Sequence, residues 1–138
     1  MDELQKKLQY WTREMNRGML ELIVLALLKT ESMHGAEISK RMHAISDGKI
    51  ELKPGTIYPL LKRLQVEGWI RSETFHPEGE RGPERHVYNL TSSGDKLFQE
   101  MLVQFTESIS NLLSFMDEEF GLLKRLQTLI KEMNKNQY

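Results

Sequence analysis

Residues 52–75, LKPGTIYPLLKRLQVEGWIRSETF, change their periodicity in the middle, and this change restricts the folds open to the chain. The first half places Ile57, Leu61 and Leu64 at helical spacing. After Gly68 the residues alternate and are rich in aromatic and β-branched types, as strands are. The stretch therefore predicts a short helix that runs directly into a strand.

The prolines of this stretch set the expected bounds of the helix. If Thr56 caps the helix, Pro59 falls within its first turn, where backbone N–H groups have no intrahelical partner. The helix then extends from Ile57 to Glu67. Its polar side is either an ordinary solvated face or a surface that enters a DNA groove, since both uses require one apolar and one polar face.

Two helical segments are expected at the N-terminus. Within residues 3–16, four apolar side chains recur at intervals of four, three and four residues: Leu4, Leu8, Trp11 and Met15. This spacing predicts an amphipathic helix. Arg17-Gly18 is expected to interrupt it, and residues 19–30 then predict a helix that is buried on most of its surface.

Residues 36–45, AEISKRMHAI, predict the next helix, with Ser32 as its N-cap. Three apolar side chains of this helix are expected to face inward: Ile38, Met42 and Ile45. Gly48 can adopt the left-handed conformation that closes a helix. Residues 50–52 predict a brief extended segment before the next helix.

Two strands and a long helix complete the predicted order of elements. Residues 69–76 and 85–90 predict strands joined by a tip with two glycines and two prolines, and Thr91 is the expected N-cap of the helix that follows. Apolar residues then occupy the a and d positions of nearly three heptads: Phe98, Leu102, Phe105, Ile109, Leu112 and Met116. Such a seam requires a second helix against it. Gly121 interrupts the pattern before a last helical segment.

This order of elements is that of a winged helix-turn-helix, a mostly α fold with a small β-hairpin wing (α+β). In such a fold the helix before the hairpin is the one presented to DNA. We therefore divide the chain into an N-terminal amphipathic helix (1–16), a winged helix-turn-helix DNA-binding domain (17–91) and one or more C-terminal dimerisation helices (92–138).

The net charge of the chain is −1, so it lacks the excess of basic residues that many nucleic-acid-binding domains have. Segments 1–48, 49–90 and 91–138 carry net charges of 0, +1 and −2. Any contact with DNA must therefore come from the local placement of a few Lys and Arg side chains.

Several classes of function are not indicated. The chain has no cysteine, which excludes disulfides and thiol chemistry and fits a reducing cytoplasm. Its histidines lie in different elements without the spacing of a metal site: His34, His43, His76 and His86. Phosphate-loop and nucleophile-elbow motifs are missing, and neither a secretory signal nor an apolar run long enough for a membrane span is found. We expect a cytoplasmic protein without enzymatic activity, metal or cofactor.

Three stretches resemble the PadR family of bacterial transcription regulators: HGAEISKRM, LKPGTIYPLLKRLQVEGWI and GPERHVYNLTSSG. The resemblance covers roughly residues 17–100, and its most specific part is the run from Gly55 to Ile70. A second match, Y-x-L-T-x-x-G, closes the last wing strand. The resemblance implies a dimeric winged-helix repressor that often responds to a ligand and dimerises through its C-terminal helix. In its length the chain resembles the shorter branch of the family, which lacks a second C-terminal domain.

Nine residues are candidates for DNA contact: Lys53, Gly55, Thr56, Tyr58, Pro59, Lys62, Arg63, Arg81 and Arg85. The small residues at the start of the helix allow backbone N–H groups to approach a phosphate. Tyr58 can contact a phosphate or a thymine methyl, and Lys62 can reach a base edge. Arg81 and Arg85 flank the hairpin tip, which is either a solvated turn or an element inserted into a minor groove.

The terminal helices supply the candidate dimer interface: Leu4, Leu8, Trp11, Leu102, Phe105, Ile109, Leu112 and Met116. Trp11, Met15, Phe105 and Met116 are either plain core and interface or the lining of a pocket for a small hydrophobic or aromatic effector. We expect a homodimeric repressor on a pseudo-palindromic operator in double-stranded DNA. The alternative is a winged-helix protein-interaction module that does not bind DNA.

Overall fold

The computed structural model describes residues 1–76, 79 and 85–137. Its helices and strands follow in this order: α1 (Glu3–Thr30), β1 (Met33–His34), α2 (Gly35–Ile45), α3 (Pro54–Val66), β2 (Ile70–Phe75), β3 (Arg85–Leu90), α4 (Ser92–Phe120) and α5 (Leu122–Lys135). The described strands form one antiparallel sheet in the order β1-β3-β2. The mostly α fold with a small β wing is therefore confirmed.

The chain divides into two compact units, Met1–Gln99 and Glu100–Tyr138. The first unit contains the helix-turn-helix and the sheet, and the second contains the greater part of α4 and all of α5. The three functional segments expected from the sequence remain a proposal about the roles of these parts.

The core of the first unit consists of side chains from α1, α2, α3 and the sheet. Its largest fully buried members are Val24, Leu25, Met33, Ile38, Met42, Ile57, Leu61, Leu64 and Ile70. The apolar face expected for the third helix is therefore buried as predicted. Ile45, also expected to face inward, is 63% exposed at the last position of α2.

The N-terminal helix is continuous, and the interruption predicted at Arg17-Gly18 is wrong. The Asp2 carboxylate accepts a hydrogen bond from the Gln5 N–H at 2.8 Å, and the Gln5 side chain accepts one from the Asp2 N–H at 3.1 Å. This capping box starts the helix firmly. A single glycine inside it costs only about 1 kcal/mol relative to alanine, which is too little to break a long helix anchored at both ends.

Two local predictions between α1 and α3 are corrected. Ser32 does not cap α2, because its hydroxyl donates to the Asn89 side chain and His34 holds the N-cap position without a side-chain bond. Residues 50–52 form no strand, since the Ile50 N–H donates to the Ser46 hydroxyl at 2.9 Å instead of to a neighbouring strand. The strand that completes the sheet is β1, which pairs with β3.

The third helix begins earlier than predicted. Its N-cap is Lys53, whose carbonyl accepts from the N–H groups of Thr56 and Ile57 at 2.9 and 3.0 Å, so Thr56 is not the cap. Pro54 takes the first helical position, where its fixed φ and its missing N–H cost nothing. Pro59 then lies inside the helix and has no N–H for the Gly55 carbonyl, which is on the exposed side.

The base of the wing is held by the Thr91 side chain, which caps α4 as predicted. The Thr91 hydroxyl lies 2.7 and 3.0 Å from the carbonyl oxygens of Gly68 and Trp69 and accepts from the Gly94 N–H at 3.0 Å. The Thr91 N–H also donates to the Trp69 carbonyl. A side chain on Gly94 would place its Cβ 1.9 Å from the Trp69 carbonyl oxygen. This contact gives the T-x-x-G motif a structural reason.

An ion pair joins α1 to the start of α4. The Lys29 ammonium lies 2.8 Å from an Asp95 oxygen, and its hydrogen bond to that carboxylate lowers the pKa of Asp95. Lys29 is in the last turn of α1 and Asp95 is in the first turn of α4, so each charge also suits the dipole of its own helix.

Two alanine substitutions of helical glycines should change stability in opposite directions. Gly94→Ala should lower the free energy of unfolding by about 2 kcal/mol or more, because the added Cβ collides with backbone that cannot move aside. Gly18→Ala meets no atom within 4 Å and should raise it by about 0.5–1 kcal/mol. Urea denaturation measures both, and a neutral Gly94→Ala would contradict the packing described for the wing base.

Candidate nucleic-acid interface

The helix α3 has one buried and one exposed face. Ile57, Leu60, Leu61 and Leu64 turn toward the core. Most residues predicted to contact DNA lie on the exposed side: Lys53, Gly55, Thr56, Tyr58, Pro59, Lys62 and Arg63. A Cβ built on Gly55 would meet no atom within 4 Å, so packing inside the chain does not demand glycine there. The start of α3 therefore leaves room for a phosphate to approach its backbone.

The Tyr58 ring lies against the glycine that begins α2. Tyr58 is 47% exposed, yet its ring fills the space that a side chain on Gly35 would occupy. A Cβ at Gly35 would lie 2.8 Å from Tyr58 Cε1 and 3.3 Å from its hydroxyl oxygen. This contact joins the His-Gly stretch to the G-T-I-Y-P stretch, and sequence spacing could not reveal it.

Two cavities border Tyr58, of about 320 and 360 Å³. The first is lined by His34, Gly35, Ala36, Tyr58, Arg85 and His86. The second is lined by Tyr58, Lys62, Gln65, Ser72, His86 and Tyr88. Burial, and to a smaller extent the nearby Tyr58, raise the pKa of Tyr88. The concave surface therefore runs from the start of α2 across α3 to strand β3.

The cavities add residues that the sequence analysis did not assign to this surface. His34, Gln65, Ser72 and His86 line it together with the predicted Tyr58, Lys62 and Arg85. The long-range pairing of β1 with β3 brings His34 and His86 near each other, since His34 is opposite Val87. A two-residue strand has too little sequence to show periodicity, so this neighbourhood was missed.

Arg63 is already engaged within the chain. Its guanidinium donates to the Glu21 carboxylate through Nη2 at 2.7 Å and through Nε at 3.2 Å. Glu67, one turn farther along α3, lies 3.9 Å away. Arg63 therefore ties α3 to α1 in this structure, and DNA contact through it would require a phosphate to compete with two carboxylates.

The wing is described only in part. β2 and β3 pair from Ile70 with Leu90 to Phe75 with Arg85, and Arg85 is exposed at the distal end of β3. Arg81 and the predicted hairpin tip lie outside the described residues. The structure thus places Arg85 beside the α3 surface and gives no position for Arg81.

The residues proposed for dimerisation and effector binding lie in both units. On α1, apolar side chains project into solvent: Leu4, Leu8, Trp11 and Met15. On α4, Leu102, Leu112 and Met116 are exposed, and Phe105 and Ile109 are half-buried. Both sets lie on helices, as their periodicity predicted, and each forms an apolar stripe that is largely exposed.

Within the described parts of the chain, His, Asp and Glu form no cluster of three or more suited to a metal ion. Among the same residues, none of the helices combines the length and the apolar character that a membrane span requires.

Helices α2 and α3, followed by the β2–β3 wing and completed by β1, define a winged helix-turn-helix protein of the DNA-binding class. The model of the transcriptional regulator PadR-like family matches residues 24–100, more than half of the chain. The protein therefore belongs to the PadR-like family of transcriptional regulators.

Individual relatives agree with this assignment. The chain is 32% identical over 82 residues to the transcriptional regulator Rv3488 of Mycobacterium tuberculosis, covering 59% of this chain and 71% of that protein. A PadR-like regulator of Bacillus cereus is 29% identical with a TM-score of 0.57, covering 72% of this chain and 96% of its own. A PadR family regulator of Eggerthella lenta shares the fold with a TM-score of 0.70 at 24% identity, covering 83% and 96%.

A double-mutant cycle tests the contact between Gly35 and Tyr58. Gly35→Ala should lower the free energy of unfolding by about 1–3 kcal/mol, because the Tyr58 ring must leave its position. In a Tyr58→Ala background the same change should cost far less, since the space is then empty. Equal costs in the two backgrounds would show that Gly35 is required for another reason.

Proposed function

We propose that the protein is a homodimeric repressor that reads a pseudo-palindromic operator with the exposed face of α3. The observation that carries this proposal is the arrangement around Tyr58. The buried apolar face holds α3 on the core, and Gly35 leaves room for the Tyr58 ring to lie against α2. Lys62 lies on the exposed side of α3, one turn after Tyr58. A donor hydroxyl and a cation held on a rigid helix are what base-edge and phosphate recognition require.

The distribution of charge indicates which parts of this surface would attract DNA. The net charge of −1 provides no general attraction to DNA, and the Arg63 charge is balanced by Glu21 and Glu67. Affinity in this proposal comes from the N-terminus of α3, from Lys53 and Lys62, and from the wing arginines Arg81 and Arg85. A regulator of this kind acts in the cytoplasm, where its operator is.

Two substitutions on the exposed side of α3 test the proposed contact with DNA without changing the core. Tyr58→Phe keeps the ring on Gly35 and removes only the hydroxyl, and Lys62→Ala removes an exposed cation. Each should leave stability within about 0.5 kcal/mol of the parent. Each should weaken operator binding by about 1–3 kcal/mol if the side chain contacts a base.

The assay is a titration of DNA from the region flanking the protein's own gene, at several salt concentrations. Lys96→Ala, which removes one exposed charge from α4, is the matched control and should bind like the parent. Loss of a phosphate contact would reduce the salt slope by about 1. A parent protein whose binding does not depend on salt would favour the protein-interaction module instead.

The proposed dimer is inferred from the apolar stripes on α1 and α4. A long apolar seam on α4, with further exposed apolar residues on α1, is more than a single domain ordinarily leaves in water. In a two-fold dimer the same apolar surfaces of the two protomers cover each other. Such a dimer also presents two α3 helices to two half-sites.

Ile109→Asp should convert the protein to a monomer or make it insoluble, because it places a charge in the middle of the α4 seam. Ser110→Asp adds the same charge to an exposed position beside the seam and serves as control. Light scattering at micromolar concentration measures both. If the Ile109→Asp protein remains a dimer, the α4 seam is not the interface.

The repressor is proposed to be released by a small planar hydrophobic molecule bound near Trp11, Met15, Phe105 and Met116. Trp11 is 56% exposed, so a stacked ligand should quench its fluorescence. Titrating a panel of planar aromatic compounds should quench the parent, spare Trp11→Phe and release operator DNA. A panel that leaves both the fluorescence and DNA binding unchanged would return these residues to the plain dimer core.

A further inference from the structure

The helix α5 has an apolar face that the described residues of its own unit leave largely exposed. Six apolar side chains recur at helical spacing along it: Leu122, Leu123, Leu126, Leu129, Ile130 and Met133. No residue of α5 is buried, and Ile130 on the apolar face is 54% exposed. The lysines Lys124, Lys131 and Lys135 lie on the opposite side of the helix. An amphipathic helix of this kind is stable when another surface covers its apolar face.

The α4 helix of the same chain cannot provide that surface. A single residue, Gly121, separates α4 from α5, whereas two antiparallel helices need a connection of about 2–5 residues. Gly121 adopts a left-handed conformation with φ of 63°, and the Asp117 carboxylate accepts from the Leu123 N–H at 3.0 Å. The last turn of α4 therefore caps α5 and directs it away from a hairpin.

The charges of the second unit indicate which partner suits α5. From Glu100 to Phe120, α4 carries five acidic side chains and no basic one, a net charge of −5. From Leu122 to Lys135, α5 carries four basic side chains and one acidic one, a net charge of +3. Two α4 helices brought together by their seams would repel each other through these acidic residues. The same chain supplies, in α5, a basic apolar helix that would offset that repulsion.

We infer that α5 of one protomer docks its apolar face on α4 of a second copy, so that the two chains exchange their α5 helices across the two-fold axis. The inference rests on the proposed dimer and adds a second pair of contacts to its α4 seam. The family match ends at residue 100, so this interface lies outside the part of the chain that defines the family. Arg125, three residues after Leu122 and four before Leu129, borders the apolar face, where it can approach the acidic residues of the partner's α4.

The first test compares charges placed on opposite sides of α5 in the full-length protein. Ile130→Asp introduces a carboxylate into the apolar face, and Thr128→Asp introduces the same group on the polar face. Sedimentation equilibrium should show a dimer dissociation constant raised about tenfold or more for Ile130→Asp and unchanged for Thr128→Asp. An Ile130→Asp protein that dimerises like the parent would overturn the inference. The separate Ile109→Asp result would then still decide whether the α4 dimer exists.

The second test locates α5 directly, and it is convenient because the chain has no cysteine of its own. A nitroxide on Thr128→Cys protein is mixed with ¹⁵N-labelled parent, and subunit exchange is allowed. Amide signals of residues 100–120 in the labelled chain should broaden. Broadening confined to the α5 amides of the labelled chain, or no broadening in a mixed dimer, would contradict the exchange.

Other occupants of the α5 face give different results. If anionic phosphatidylglycerol vesicles bind the parent but not Ile130→Asp, while both proteins dimerise equally, the face belongs to a lipid surface and the inference fails. If both proteins ignore vesicles and Ile130→Asp alone dissociates, the second copy is supported as the occupant.

Discussion

The side chain of Thr91 joins three elements whose relative positions determine what the protein can do. Its hydroxyl bonds the two backbone carbonyls where α3 gives way to β2, and it also caps the first turn of α4. Gly94 allows this approach because its missing side chain leaves room for the Trp69 carbonyl. The end of α3, the base of the wing and the start of α4 are therefore held within a few residues of one another. The α3 surface has a fixed orientation because of this junction.

A second fixed point orients the exposed side of α3. Tyr58 rests on Gly35, and Arg63 is bonded to Glu21, so α3 is tied to α2 on one flank and to α1 on the other. Side chains held in this way lose little freedom when a partner binds, which lowers the entropic cost of association. The Arg63–Glu21 pair also joins α1 directly to α3.

Local patterns in the sequence predicted most of the fold, and contacts distant in sequence account for the errors. The spacing of Ile57, Leu61 and Leu64 identified the buried face of α3, because burial repeats along a helix with a fixed period. Gly18 was taken as a break, since the sequence shows its intrinsic cost but not the packing that overrides it. β1 was missed because a two-residue strand exists only through its pairing with β3.

The predicted site shows the same limit. The exposed side of α3 followed from the helical period, but the contact between Tyr58 and Gly35 joins different elements and has no local signature. Arg63 was predicted to contact DNA, and the sequence could not show that its guanidinium pairs with Glu21, which lies 42 residues away. The sequence assigns His34 and His86 to different elements, whereas the pairing of β1 with β3 brings both to the same cavity. Residue type and period predict which face is used, and tertiary contacts decide which members of that face are available.

The claim that the Tyr58 side of α3 faces the operator can be tested by photocrosslinking. A benzophenone amino acid is placed at Tyr58 in one protein and at Tyr10 in another, since Tyr10 is an equally exposed tyrosine on the N-terminal part of α1. With operator DNA bound and illuminated, the protein carrying the label at position 58 should crosslink to bases within the half-sites, and the protein labelled at position 10 should not. Efficient crosslinking from position 10 together with none from position 58 would contradict the account.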